Sequence, residues 1–419
     1  KFTEFFNKIN PWFTKMGKNK YLQTISEAMM STLGPIFIGS IAVLLIVFPI
    51  KPVANFIASL GLVPVLSVVN SVTIGAMALY VVFMMAKTLV NKFISSDDGA
   101  MAGVIALMSF LIVTPLGQLK GGISAIPTTW LGASGVFSAM IIGLLVGRIY
   151  VVFKEKNIVI KMPSSVPPMV TKTFESLLPA ITIGVLFIIV ARLFLLTPFG
   201  SMHQFIYSII QEPLKGIGGN IWAFIFISVL QQVLWFFGIH GTNVVMPIVQ
   251  ALWMSMDVEN LANVAAGKPI ENILGYAFFN VVTWSGLALG LVLLMLISKS
   301  QRYKALGRVA IVPALFGITE PVIFGTPLVL NFDLAIPFIF NNSIAMFISW
   351  LLIKIGIVAH LPGVQPIFGL PLGFHAALEG KVSIIILQLV IQLVLSPILW
   401  YPWFKRVERR ELKVEQAGE

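Results

Sequence analysis

The chain is 419 residues long, has no Cys, and is 58% apolar with only 11% charged residues. Soluble domains carry about 25% charged residues, and the apolar runs here are continuous and about 20 residues long, the length of a bilayer-spanning helix rather than of an alternating barrel strand. The composition excludes a water-soluble globule, a disulfide framework and a thiolate metal site, and the net charge of +11 must be read by its distribution rather than as a nucleic-acid signal.

Residues 1–27 are mixed and basic and are expected to form a cytoplasmic segment. No cleavable leader is expected, because the first apolar stretch is too long for one. Apolar spans follow at 28–50, 61–86, 99–116, 129–153, 177–197, 220–237, 272–298, 334–357 and 382–403. Lys and Arg gather in the N-terminal segment, at Lys87 and Lys92, in 148–172 (Arg148, Lys154, Lys156, Lys161, Lys172), in 299–308, and in the tail at 405–413. The alternate loops hold few basic residues, among them Lys51, Lys120 and Lys215. The positive-inside rule then puts both termini in the cytoplasm. Two cytoplasmic ends need an even number of crossings, so about ten transmembrane helices are expected, and a segment not read as a clean span must also cross.

Three late segments, 239–256, 309–330 and 358–381, are apolar but broken by Gly and Pro. Broken backbone at membrane depth must be buried in protein or line a wet cavity, and interrupted apolar segments are the best sequence pointer to a transport site. The fold class expected is therefore an all-α polytopic membrane protein in two unlike halves. Residues 28–200 form a membrane scaffold with a basic cytoplasmic connection at 154–175, residues 201–404 form a binding half with re-entrant hairpins, and 405–419 form a cytoplasmic tail.

Charged residues within spans are costly and usually functional. The sharpest case is Glu320 in Gly317-Ile318-Thr319-Glu320-Pro321-Val322-Ile323-Phe324-Gly325. Pro321 cannot continue a preceding helix but suits the first turn of a following one. Glu320, just before that helix, either caps its free amides or faces a cavity and accepts hydrogen bonds from a polar ligand. His240, between Gly238 and Gly241, is either a satisfied core residue or a side chain brought to a cavity by irregular backbone, with Thr242 and Asn243 beside it. Trp235 is an interfacial anchor or a platform for a sugar ring. Asn280 and Trp284 sit mid-span where small residues commonly serve helix packing, and Gln365 follows a Pro-Gly pair; each is a candidate for the same cavity. Glu379 and Lys381 read as loop residues. No phosphate-binding Gly-rich loop is present, no carboxylate–His spacing suggests a metal, and no cofactor is called for. Without Cys the chain cannot carry a cysteinyl phosphate, so any phosphoryl donor would be another polypeptide.

The stretch from Gly317 through Thr326-Pro327-Leu328-Val329-Leu330-Asn331 resembles the signature of the membrane-embedded enzyme IIC of the bacterial phosphoenolpyruvate-dependent sugar phosphotransferase system. Val-Ile-Phe-Gly after Glu-Pro points to the lactose/cellobiose/diacetylchitobiose branch. Asn10-Pro11, Tyr21-Leu22-Gln23-Thr24-Ile25, Ile160-Lys161-Met162-Pro163 and the Trp235–Gly241 stretch extend the resemblance over nearly the full length. It implies a homodimer in the bacterial cytoplasmic membrane, with the N-terminal spans as dimer scaffold and the C-terminal half carrying a β-linked disaccharide by rigid-body movement. Glu320 and His240 would contact the hydroxyl to be phosphorylated; Trp235, Asn243, Thr319, Asn280, Trp284 and Gln365 would bind the sugar. The implied partners are a separate enzyme IIB carrying phosphocysteine and, through it, enzyme IIA. The chain departs from relatives near 361–383, where consecutive prolines and a later Gly-Gly-x-Trp are replaced by Gln365-Pro366 and Gly380-Lys381-Val382. A proton-coupled sugar transporter using Glu320 as its protonation site is the rival reading.

Overall fold

The computed structural model describes residues 18–46, 51–118, 122–163, 165–238, 241–326, 328–365 and 370–418. The first half contains α1 (Lys20–Ser31), α2 (Leu33–Ile46), α3 (Lys51–Ser59), α4 (Leu62–Val72), α5 (Met77–Phe93), α6 (Ala100–Ile112), α7 (Val136–Glu155) and α8 (Pro168–Leu195). A two-residue antiparallel pair, Gly117–Gln118 with Ser124–Ala125, closes the loop between α6 and α7. Helices α5 and α7 pack most closely, with α1 and α6 also against α5. The reason is small residues: a Cβ on Gly143 would stand 2.6 Å from the Met85 Cβ, and one on Gly147 would stand 3.0 Å from Leu89 Cδ2. Lipid tails are as apolar as Leu, so close van der Waals contact at small residues, not hydrophobicity, holds such a pair together.

Polar ties bind the turn before α6 to the end of α7 and the start of α8. Lys154 pairs with Asp97 (3.5 Å) and with Glu175, and Lys172 lies 3.7 Å from Asp98. Asp98 also accepts the Ala100 N–H at 3.0 Å. That hydrogen bond, with Lys172, holds its carboxyl below the usual range.

The second half contains α9 (Met202–Ile206) and α10 (Glu212–Gly218), joined by a π turn, then α11 (Ile221–Phe236), α12 (Gly241–Ala265), α13 (Tyr276–Val282), α14 (Ala288–Leu296), α15 (Gln301–Leu315), α16 (Glu320–Gly325), α17 (Ala335–Lys354) and α18 (Phe374–Leu378). The last apolar stretch is one long helix, α19 (Val382–Val390) running through a π turn at Ile391–Leu395 into α20 (Ser396–Gly418). The tail expected at 405–419 is thus helical to Gly418, and it is tied down. Glu408 Oε1 accepts the Ser298 hydroxyl (2.6 Å) and the Lys299 N–H (2.9 Å), while Glu415 Oε1 accepts the Ser300 hydroxyl (2.7 Å) and the Arg302 N–H (3.1 Å).

Among the described residues, seven helices are long and apolar enough to cross a bilayer, and eight if the pair Met202–Gly218 and Ile221–Phe236, bent by 74°, counts as one. The expected span at 99–116 is helical only over Ala100–Ile112, 13 residues. At 1.5 Å per residue that is about 20 Å, short of a hydrocarbon core of about 30 Å. Pro115 disfavours helix at the residue before it, which accounts for the stop. The expected span at 272–298 is broken in its middle, as described below.

Candidate substrate site

A cavity of about 290 Å³ lies in the second half, walled by α11, α12, α13, α15–α16 and α17. Its lining combines apolar Phe279, Phe338 and Ile323 with the amides and hydroxyls of Gln231, Gln232, Asn280, Asn342, Thr242, Thr283, Ser285 and Thr319, and with Trp235. Close backbone approach builds the α11–α12 corner. Gly238, with φ +79, turns the chain at the end of α11, and a Cβ on Gly241 would lie 2.0 Å from the Gln231 carbonyl oxygen. The corner brings Thr242 under two donors: the Gln231 amide (3.0 Å) and the Trp235 indole N–H (3.4 Å) both reach its hydroxyl oxygen. Trp235 is therefore oriented by a polar tether at the cavity wall.

On the opposite wall, α15 ends at Leu315 and Gly317 takes φ +80 with its Cα against the Trp284 ring; a Cβ there would stand 3.0 Å from that ring. Thr319 then opens α16, its carbonyl accepting the N–H groups of Val322 (2.9 Å) and Ile323 (3.0 Å). Glu320 is the first residue of α16, with Pro321 in its first turn, one residue earlier than expected. Thr319 before it and Ile323 after it both line the cavity. The start of this short helix thus borders the cavity.

Of the eight candidate residues, Trp235, Asn280 and Thr319 lie on one cavity wall or another. The Asn280 amide donates to the Tyr276 carbonyl (3.0 Å). Trp284 is buried beside the cavity with its ring edge-on to His375, centroids 4.4 Å apart. Gln365 is placed elsewhere: it is buried, and its amide donates to Asp257 Oδ2 (2.6 Å) and to the Gly363 carbonyl (3.1 Å). His240 lies outside the described residues, as do the side chains of Glu320 and Asn243.

The sequence reading missed two groups. Gln231, Gln232 and Asn342 line the cavity from long apolar helices, and Gln231 Oε1 and Asn342 Oδ1 have no hydrogen-bond partner among the described residues. The signal was present as adjacent amides inside spans, Gln231-Gln232 and Asn341-Asn342. Asp257 and Glu379, both buried, hold the 361–365 segment: Asp257 takes Gln365 and the Ala277 N–H (2.8 Å), and Glu379 takes the N–H groups of Gly363 (3.0 Å) and Val364 (3.3 Å). Glu379 does lie in the turn after α18, but buried rather than facing solvent.

A polar cavity walled by interrupted apolar helices defines a membrane transport protein. The chain belongs to the family described as phosphotransferase system, EIIC, which matches residues 26–341. It is 30% identical over 430 residues to the oligo-beta-mannoside-specific EIIC component of Bacillus subtilis strain 168, covering 98% of this chain and 96% of that one. Identity to the cellobiose-specific EIIC component of Geobacillus stearothermophilus is 32% over 436 residues, covering 98% and 95% of the two chains. The fold superposes on the crystal structure of the transporter ChbC, the IIC component from the N,N'-diacetylchitobiose-specific phosphotransferase system, with a TM-score of 0.90 at 32% identity, covering 99% of this chain and 100% of that one. The chain is thus a multi-pass membrane permease component of a sugar phosphotransferase system.

Proposed function

We propose that the chain takes up a β-linked disaccharide of the cellobiose or diacetylchitobiose type by group translocation, across the bacterial cytoplasmic membrane, with both termini cytoplasmic. The observation that carries this is the cavity at Trp235 and the start of α16. At about 290 Å³ it is near the lower end of the range for small-molecule sites, roughly 300–1,000 Å³, and it offers an aromatic face together with amides and hydroxyls suited to a pyranose. The sugars named for the cellobiose and diacetylchitobiose relatives support the same class.

In this reading the first half is the dimer scaffold and the second half moves as a rigid body, carrying the sugar across. Phosphoryl transfer has a loose transition state, so catalysis is mostly positioning and charge management. Glu320 orients the C6 hydroxyl and accepts its proton, and His240 shares that hydrogen bond and relays the proton. The phosphocysteine of a separate enzyme IIB, itself charged by enzyme IIA, is the donor; it docks on the basic cytoplasmic face. The S–P bond breaks as the O–P bond forms, and the sugar phosphate leaves into the cytoplasm. Proton coupling through Glu320 is not favoured, because relatives matching nearly the whole chain are phosphotransferase components. Glu320→Gln should abolish sugar phosphorylation in membrane vesicles supplied with phosphorylated IIB while leaving expression unchanged; retained phosphorylation contradicts the role.

A further inference from the structure

The apolar stretch from Tyr276 to Leu296 is interrupted without any proline. Ser285 (φ 47), Gly286 (φ 57) and Leu287 (φ 53) are three successive residues in the left-handed region. Such a run is costly for L-residues, and two of the three carry side chains. It also strands carbonyl groups, because a helix end leaves its last four C=O groups without intrahelical partners. At membrane depth those groups must be satisfied by protein.

The partners come from one face of the last long helix, more than a hundred residues away. The Gln388 amide donates to the Val281 carbonyl (3.1 Å) and the Gln392 amide to the Val282 carbonyl (3.4 Å). The Ser396 hydroxyl (2.6 Å) and the Trp400 indole N–H (2.8 Å) both donate to the Leu287 carbonyl. All four donors are buried, and Gln388 Oε1 in turn accepts the Gly373 N–H at 3.0 Å. Gly290 lets the two strands of this contact meet, since a Cβ there would fall 2.2 Å from Ser396 Oγ.

The four donors recur every fourth residue. At about 100° per residue, twelve residues of α-helix would leave Trp400 about 120° round from Gln388. The π turn at Ile391–Leu395 absorbs one extra residue, about 100° of that drift, and restores a single stripe. The bulge therefore has a geometric purpose: it aligns the donors with the carbonyls of the break. The break itself faces the cavity, whose wall includes Thr283, Ser285 and Gly286.

We infer that Gln388, Gln392, Ser396 and Trp400 are positioning residues for substrate, a ladder that holds the left-handed turn at Thr283–Leu287 as a wall of the sugar cavity. The inference rests on the sugar-binding reading above and deepens it by naming what keeps the site in shape. None of the four lines the cavity, so they act through the turn and not by contact.

The test uses the full chain, purified, with cellobiose, N,N'-diacetylchitobiose and lactose as probes. Ser396→Ala and Trp400→Phe each leave one side-chain donor on the Leu287 carbonyl, and each should hold the affinity for the bound disaccharide within about twofold. The double variant strips both side-chain donors from that carbonyl, leaving it only the first backbone bond of α14, and should weaken binding about tenfold, beyond the product of the singles. In vesicles, KM should rise to match while kcat at saturating sugar stays within about twofold, a split that general destabilisation would not produce. A second readout needs no sugar. In the naturally Cys-free chain, Ser285→Cys should react with a maleimide about tenfold faster when combined with the double variant, while Val414→Cys, on an exposed site, should be unchanged. Should the double variant not fold, Gln388→Met, which frees only the Val281 carbonyl and the Gly373 N–H, should move both readouts in the same direction. Wild-type affinity and labelling in these variants would overturn the ladder. A wild-type chain that binds none of the three sugars would instead overturn the functional reading, and the labelling alone would then decide the ladder.

Discussion

Gly241→Ala separates two effects of opposite sign. By helix propensity alone, Ala in place of Gly stabilises a helix by up to about 1 kcal/mol, and Gly241 opens α12. The structure predicts the reverse. The added Cβ would lie 2.0 Å from the Gln231 carbonyl oxygen, whereas ordinary contact begins at 3.4 Å, so 1.4 Å of separation must be found between α11 and α12. The obstacle is backbone and cannot be relieved by a rotamer change. Opening the corner moves Thr242 away from Gln231 and Trp235, and with them the aromatic wall of the cavity. A misplacement of about 1 Å in a positioned site costs about a hundredfold, so kcat/KM for IIB-dependent disaccharide phosphorylation should fall about a hundredfold. Gly216→Ala, where a Cβ meets nothing within 4 Å, is the matched control and should retain wild-type activity. Both variants are assayed in vesicles normalised for protein content. Gly241→Ala activity within about twofold of wild type would refute the close-approach argument.

Trp235→Ala should weaken disaccharide binding about tenfold by titration calorimetry, while Trp235→Phe, which keeps a ring and loses the long N–H contact to Thr242, should cost about two- to threefold. Asp257→Ala removes the acceptor of the buried Ala277 N–H, at about 1–3 kcal/mol, and one of the two acceptors of the Gln365 amide; a clear drop in thermal-shift midpoint is expected, with Asp257→Asn less affected because it keeps one acceptor oxygen. Gly147→Leu should wedge α5 from α7 and abolish a monodisperse peak in size-exclusion chromatography, whereas Leu145→Ala, at a 48% exposed position, should elute like wild type.

Apolar run length made the membrane class and most helices legible: 220–237 and 334–357 fall within three residues of Ile221–Phe236 and Ala335–Lys354. The Glu-Pro motif was equally legible, because Pro321 suits the first turn of a helix and, after the break at Gly317, opens one. What escaped was non-local. Nothing in Thr283-Trp284-Ser285-Gly286-Leu287 announces three left-handed residues; the conformation is stabilised by side chains of the final helix, and local propensity carries no trace of them. Gln365 was a cavity candidate as a polar residue in a segment broken by Pro and Gly, but Asp257, distant in sequence, captures it. Asp257 itself drew no notice, since it falls one residue past the broken segment 239–256 and before the span expected at 272–298.

The terminal helix bears on handling the protein. Through Glu408 and Glu415 its final turns grip the start of α15, the arm whose far end leads by way of Gly317 to Glu320. Trimming the chain ahead of residue 408, or loading its end with a bulky fusion, would unmoor that arm at its root while leaving every cavity residue intact. A defect seen after such editing would originate in lost bracing, and a chain lengthened through a flexible spacer beyond Gly418 is the sounder design.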